Sequence, residues 1–143
     1  MVKFLRRKAK KFFREFLLYH NSSLEYRAKV FTLIVAANEQ IHPCEEELLM
    51  KCACEIYKND EERCEILVDT VKEYFEKIIT NNGLDFEHLV FQVENETRDV
   101  KRFSKKIDID MFMRFQECEM TEDEKIYQLR VIEFLADLKQ RYA

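Results

Sequence analysis

Residues 23–38 read SLEYRAKVFTLIVAAN, and from Val30 to Ala37 only Thr32 interrupts the apolar run. At helical spacing Val30, Phe31, Leu33, Ile34, Val35, Ala36 and Ala37 surround the axis instead of forming a stripe. A helix without a wet face is a central one, covered by its neighbours. The run is far too short to cross a bilayer, which takes about 20 apolar residues. Other segments must therefore wrap this one.

The rest of the chain says what kind of segments those are. Its 143 residues include one glycine and one proline. Sheets and barrels turn often and use both residues at their corners, so a chain nearly without them is built from long helices. Apolar spacing predicts helices near 3–19, 23–38, 43–58, 60–81, 85–95, 97–105, 108–117 and 122–141. Their ends carry local signals. Ser22 with Glu25 and Thr121 with Glu124 have capping-box spacing, and Pro43 suits a first helical position. Asp60 and Asp85 stand at starts, and Gly83 stands where a left-handed C-cap is wanted. The expected fold is all-α: a single-domain bundle of seven or eight helices.

Five cysteines (Cys44, Cys52, Cys54, Cys64 and Cys118) are an odd number, and no secretory signal precedes them. They read as reduced, structural thiols of a cytoplasmic protein. Charge divides the chain in two. Residues 1–20 set seven cations against Glu15, a net +6; the whole chain is −4, so residues 21–143 carry −10. On a helical wheel the first segment is amphipathic, with Leu5, Phe12, Phe13, Phe16 and Leu17 opposite the cations. Lys3, Arg6, Arg7, Lys10, Lys11 and Arg14 are thus candidates for binding an anionic membrane surface or a partner. The same helix could instead dock its apolar face on the acidic body. An acidic body repels phosphate, which argues against nucleic acid.

Two helix-to-helix corners look alike. Ala37-Asn38-Glu39-Gln40-Ile41-His42-Pro43-Cys44-Glu45 aligns with Gln116-Glu117-Cys118-Glu119-Met120-Thr121-Glu122-Asp123-Glu124. In each, a polar pair is followed by an apolar residue, a cap position, and a Glu three residues later. One helix–turn–helix unit used twice about a pseudo-two-fold is the expected arrangement. These corners resemble the signature of TerB-like domains, Ala-Asp-Gly-x-Ile/Leu-Ser/Thr-x-x-Glu. That family is named for tellurite-resistance proteins and also occurs in membrane-anchored J-domain co-chaperones. The likeness covers roughly residues 23–142 and divides the chain into a basic helix, 1–20, and a TerB-like domain, 21–143. It departs where the family's Asp is Asn38 or Glu117 and its Gly is Glu39 or Cys118. The resemblance implies a divalent cation, calcium or zinc, held by Asn38 with Glu45 and by Glu117 with Glu124. The acids also suit a plainer role, complementing the positive ends of helix dipoles.

Catalytic patterns are missing. A single glycine supplies neither a nucleophile elbow nor a phosphate-cradling loop. His20, His42 and His88 lie far apart in sequence, and no Glu-x-x-His pair recurs on two helices as a di-iron site requires. The expectation is a non-enzymatic adaptor that binds a protein partner at the cytoplasmic membrane face, with no small-molecule substrate identified. The alternative is a metal-binding stress-response protein of the tellurite-resistance kind.

Overall fold

The structure is a computed structural model that describes residues 22–143. The basic segment, with Lys3, Arg6, Arg7, Lys10, Lys11 and Arg14, lies outside the described residues. Six α-helices occupy the rest: α1 Ser22–Val35, α2 Pro43–Ile56, α3 Glu61–Ile79, α4 Phe86–Asp99, α5 Ile109–Met113 and α6 Glu122–Arg141. Two 3₁₀ segments, Lys101–Lys106 and Arg114–Cys118, flank α5. Among the described residues there is no strand.

The all-round apolar helix is the hub. From Val30 to Val35 every residue of α1 is buried, and α3, α4 and α6 pack around it. Aromatic rings link it to the later segments. Phe31 meets Phe112 edge-on with centroids 5.4 Å apart and Phe115 at 6.1 Å. Tyr26 stacks on Phe103 at 4.4 Å, and its hydroxyl lies 2.7 Å from Thr97 Oγ1 inside the core. None of the described helices is long and apolar enough to cross a membrane.

Several caps follow the local signals, although Asp85 makes no side-chain cap bond at the start of α4. Asp60 accepts from the Arg63 amide at 3.3 Å and Asp108 from the Met111 amide at 3.1 Å. The Thr121–Glu124 capping box is complete, at 3.1 and 3.2 Å. The Gly83 reading is corrected. The first left-handed residue after α3 is Asn81 (φ 56°), and Asn82 donates back to the Lys77 carbonyl at 2.8 Å. Gly83 is also left-handed, at φ 87°, but lies two residues further along the turn. Lys58 and Asn59 do the same service between α2 and α3. Asparagine tolerates that region because its short side chain can bond locally, so this chain turns without the glycines it lacks. The helix expected near 97–105 divides between the end of α4 and a 3₁₀ turn, and that near 108–117 between α5 and another.

Candidate functional site

The two corners meet face to face. One is the α1–α2 turn; the other is the turn from the 114–118 segment into α6. In each the Glu at the third helical position works twice. Glu45 accepts from the His42 amide at 3.4 Å, so it helps cap α2. Glu124 caps α6 with Oε1 and turns Oε2 toward His42 Nε2, at 2.9 Å. Across the seam the Glu45 carboxyl shares a hydrogen bond with Glu119. One ligand atom from each of His42, Glu45 and Glu119 lies within 4.8 Å of the others. Glu45 and Glu119 are buried, 1% and 6% exposed, and no other Asp or Glu among the described residues is buried.

Amides determine which carboxyl keeps the proton. Gln116 Nε2 donates to Gln128 Oε1 at 2.8 Å, which turns the Gln128 amide N–H toward Glu119 Oε1 at 2.7 Å. Asn38 Nδ2 donates to the other oxygen, Glu119 Oε2, at 3.0 Å. With both oxygens accepting, Glu119 is the carboxylate of the pair, and Glu45 carries the proton between them. Burial pushes the Glu45 carboxyl up, and the neighbouring Glu119 pushes it further, to about 8. Burial raises Glu119 too. The His42 ring holds Glu124 below the usual carboxylate range. Among the described residues no Lys or Arg pairs with any of the three glutamates. A buried carboxylate without a cation must find a proton, a metal or amide donors.

The cysteine reading is corrected here. Cys44 and Cys118 form a disulfide across 74 residues, with Cα atoms 5.4 Å apart. Each adjoins a carboxyl of the cluster, Glu45 or Glu119, so the bond ties the two corners where the acids meet. Cys52, Cys54 and Cys64 are free. The inference from reduced thiols to a cytoplasmic protein loses its premise.

Of the residues implied by the resemblance, Asn38, Glu45 and Glu124 converge on this seam, whereas Glu117 does not. It is exposed and lines a groove of about 280 Å³ beside the disulfide, with Lys51 and Arg114. Three cluster residues escaped the sequence reading. His42 stood only as a cap position, Glu119 as one acid among several, and Gln128 not at all. Gln128 did leave a signal, since it occupies the buried stripe of α6 with Ile132, Leu135 and Leu138. Comparison with protein-family models, curated proteins and solved structures finds no match to this chain. The likeness to TerB-like domains rests on the two corner motifs alone.

Proposed function

We propose that the paired corners form a divalent-cation site and that the domain is a cation-responsive binding module, not an enzyme. One observation carries the reading: a histidine and two buried carboxyl groups face one another, and among the described residues no Lys or Arg balances them. The donor set favours zinc over calcium. Zinc takes imidazole and carboxylate at about 2.0–2.2 Å in a tetrahedron, whereas calcium wants six to eight oxygens. Tetrahedral ligands stand roughly 3.4 Å apart at those bond lengths, so the 4.8 Å spread needs a closure of at most about 1.4 Å. Glu124 fits an outer role. An ionised carboxylate can only accept, so the Nε2 atom it faces is the donor, and Nδ1 would be the nitrogen left for metal. A carboxylate steadying a ligating histidine in this way is common at zinc sites. The ion would take the place of the proton shared by Glu45 and Glu119, so binding weakens as pH falls.

Thermal unfolding of the chelator-treated full chain tests this. At a hundredfold excess over Kd, zinc should raise Tm by roughly 10 °C, from about 2.7 kcal/mol of linkage and about 4 °C per kcal/mol. The shift should be larger at pH 8 than at pH 6, and millimolar calcium should give none. Glu119→Gln should abolish it. A shift that survives Glu119→Gln but disappears in Cys54→Ser would assign the zinc to the free thiols instead and overturn the proposal.

A further inference from the structure

A second concentration of unbalanced charge shares no residue with the corners, and its sign is opposite. Where α1, the end of α2 and α5 meet the 3₁₀ segment Lys101–Lys106, a cavity of about 110 Å³ opens. Arg27, Lys105 and Lys106 line it against a single acid, Asp108, so its wall carries +2. The body around it carries −10 over residues 21–143, so this excess runs against the average. Phe31 and Phe112 close the inner side and are almost fully buried, 2% and 1% exposed. Over such an apolar floor charges are less screened than in open water, so an anion would be drawn in more strongly.

The elements that present the cations are anchored. Phe103 and Ile107, on either side of Lys105 and Lys106, are buried, and the Tyr26 ring stacks on Phe103. The Arg27 guanidinium lies over the Tyr57 ring, 5.5 Å from its centroid, a contact that orients its planar fork. Among the described residues none of the three cations pairs with a carboxylate. Asp108 is committed elsewhere, since its Oδ1 accepts from the Met111 amide at 3.1 Å and caps α5. Burial, then the charges of Arg27 and Arg102, hold the Lys106 ammonium below its usual value, as uncompensated positive potential should.

Size and charge together select the occupant. At about 30 Å³ per water, the cavity has room for about four waters, enough for one tetrahedral oxyanion and too little for a nucleotide. A phosphate group brings about −1.5 to −2 charge at neutral pH and three acceptor oxygens, which match the +2 wall and its three donors. A carboxylate would leave one of those charges unbalanced. The Arg27 fork can engage two oxygens at once, and the lysines act as point charges. We infer that Arg27, Lys105 and Lys106 form a binding site for a phosphate group. The group is either the free anion or the end of a small ester whose apolar remainder rests on Ile56 and Met111, the partly buried residues of the same wall.

Amide NMR of the chelator-treated full chain, titrated with inorganic phosphate at constant ionic strength, tests this without metal at the corners to recruit the anion. Shifts should saturate and centre on Arg27 and residues 104–112. Lys106→Gln should weaken binding about tenfold, the worth of one charge-assisted hydrogen bond. Asp108→Asn should act in the opposite direction, tightening binding about threefold, because asparagine still caps α5 while the wall loses its acid. Lys51→Gln removes the same charge from a residue that does not line the cavity, and should change affinity by less than about twofold. Circular dichroism verifies folding; if Lys106→Gln melts early, the exposed Lys105→Gln and Asp108→Asn should still move affinity in opposite directions. Phenyl phosphate separates the two sources. Binding about tenfold tighter than inorganic phosphate assigns the site to the end of an ester, and equal or weaker binding assigns it to the free anion. Acetate binding as tightly as phosphate, equal losses in Lys106→Gln and Lys51→Gln, or no saturable shift with either phosphate probe would overturn the inference.

Discussion

The two ends of α1 and α6 treat charge in opposite ways. At one end the C-terminus of α1 meets the N-terminus of α6, and two carboxyl groups are buried there with a histidine. About 22 Å along α6, at 1.5 Å per residue, Lys139 lines a cationic cleft with Arg98, Lys101 and Arg102, and Arg102 donates to Ser22 of α1. Helix dipoles account for the polarity. The first turn of α6 holds Glu122, Asp123 and Glu124 and its last holds Lys139 and Arg141, each sign at the end that favours it. The dipole does not dictate burial, and there the ends diverge. Acids taken out of water must be neutralised within the protein by a proton and amides; cations left in water need no internal partner. Substitutions should therefore alter stability more at the acidic end than at the basic one.

Reduction should have the largest effect. Breaking Cys44–Cys118 frees a 74-residue separation and should cost about 2–4 kcal/mol in urea unfolding, with a weaker zinc response. Gln128→Leu comes next. It keeps the size but removes the buried donor to Glu119, at a cost of about 2–3 kcal/mol. Little change in that variant would mean that Glu119 is not held as a carboxylate. Glu45→Gln acts through pH. Folding raises the Glu45 pKa to about 8 from an ordinary value near 4.5, so the folded state binds the extra proton between those values. Its stabilising effect is complete below the lower value and is lost as pH rises through the upper one. The variant should match the parent near pH 5, exceed it above pH 8, and show a flatter Tm profile between. The smallest effect belongs to the other end, where Lys101→Gln with Lys105→Gln should stay within about 0.5 kcal/mol of parental stability.

Local features of this fold were legible and distant ones were not. The Thr121–Glu124 box, the Asp60 cap and the central helix each depend on residues within one or two turns, and their spacing announces them. Glu45 meeting Glu119, and Cys44 meeting Cys118, depend on how two corners some 74 residues apart face each other. No spacing rule encodes that orientation. The corner alignment singled out Asn38, Glu45 and Glu124 because it tracked cap positions, but it assigned them to two separate corners and not to the one seam where they lie. It misplaced Glu117, because the 114–118 segment is a 3₁₀ helix whose tighter winding changes which acid turns inward. Asn81 stood in for the glycine because both residues accept positive φ, and sequence alone does not rank them when both follow a helix.

Calorimetric titration of the chelator-treated full chain with zinc at pH 7, in two buffers of different ionisation enthalpy, tests the central claim most directly. If the ion replaces the proton held between Glu45 and Glu119, apparent enthalpies will differ between buffers by about one released proton per zinc bound. That difference should vanish in Glu45→Gln. Identical enthalpies in the two buffers, or no binding heat at all, would contradict a cation site at the paired corners and leave the cluster a buried proton clasp.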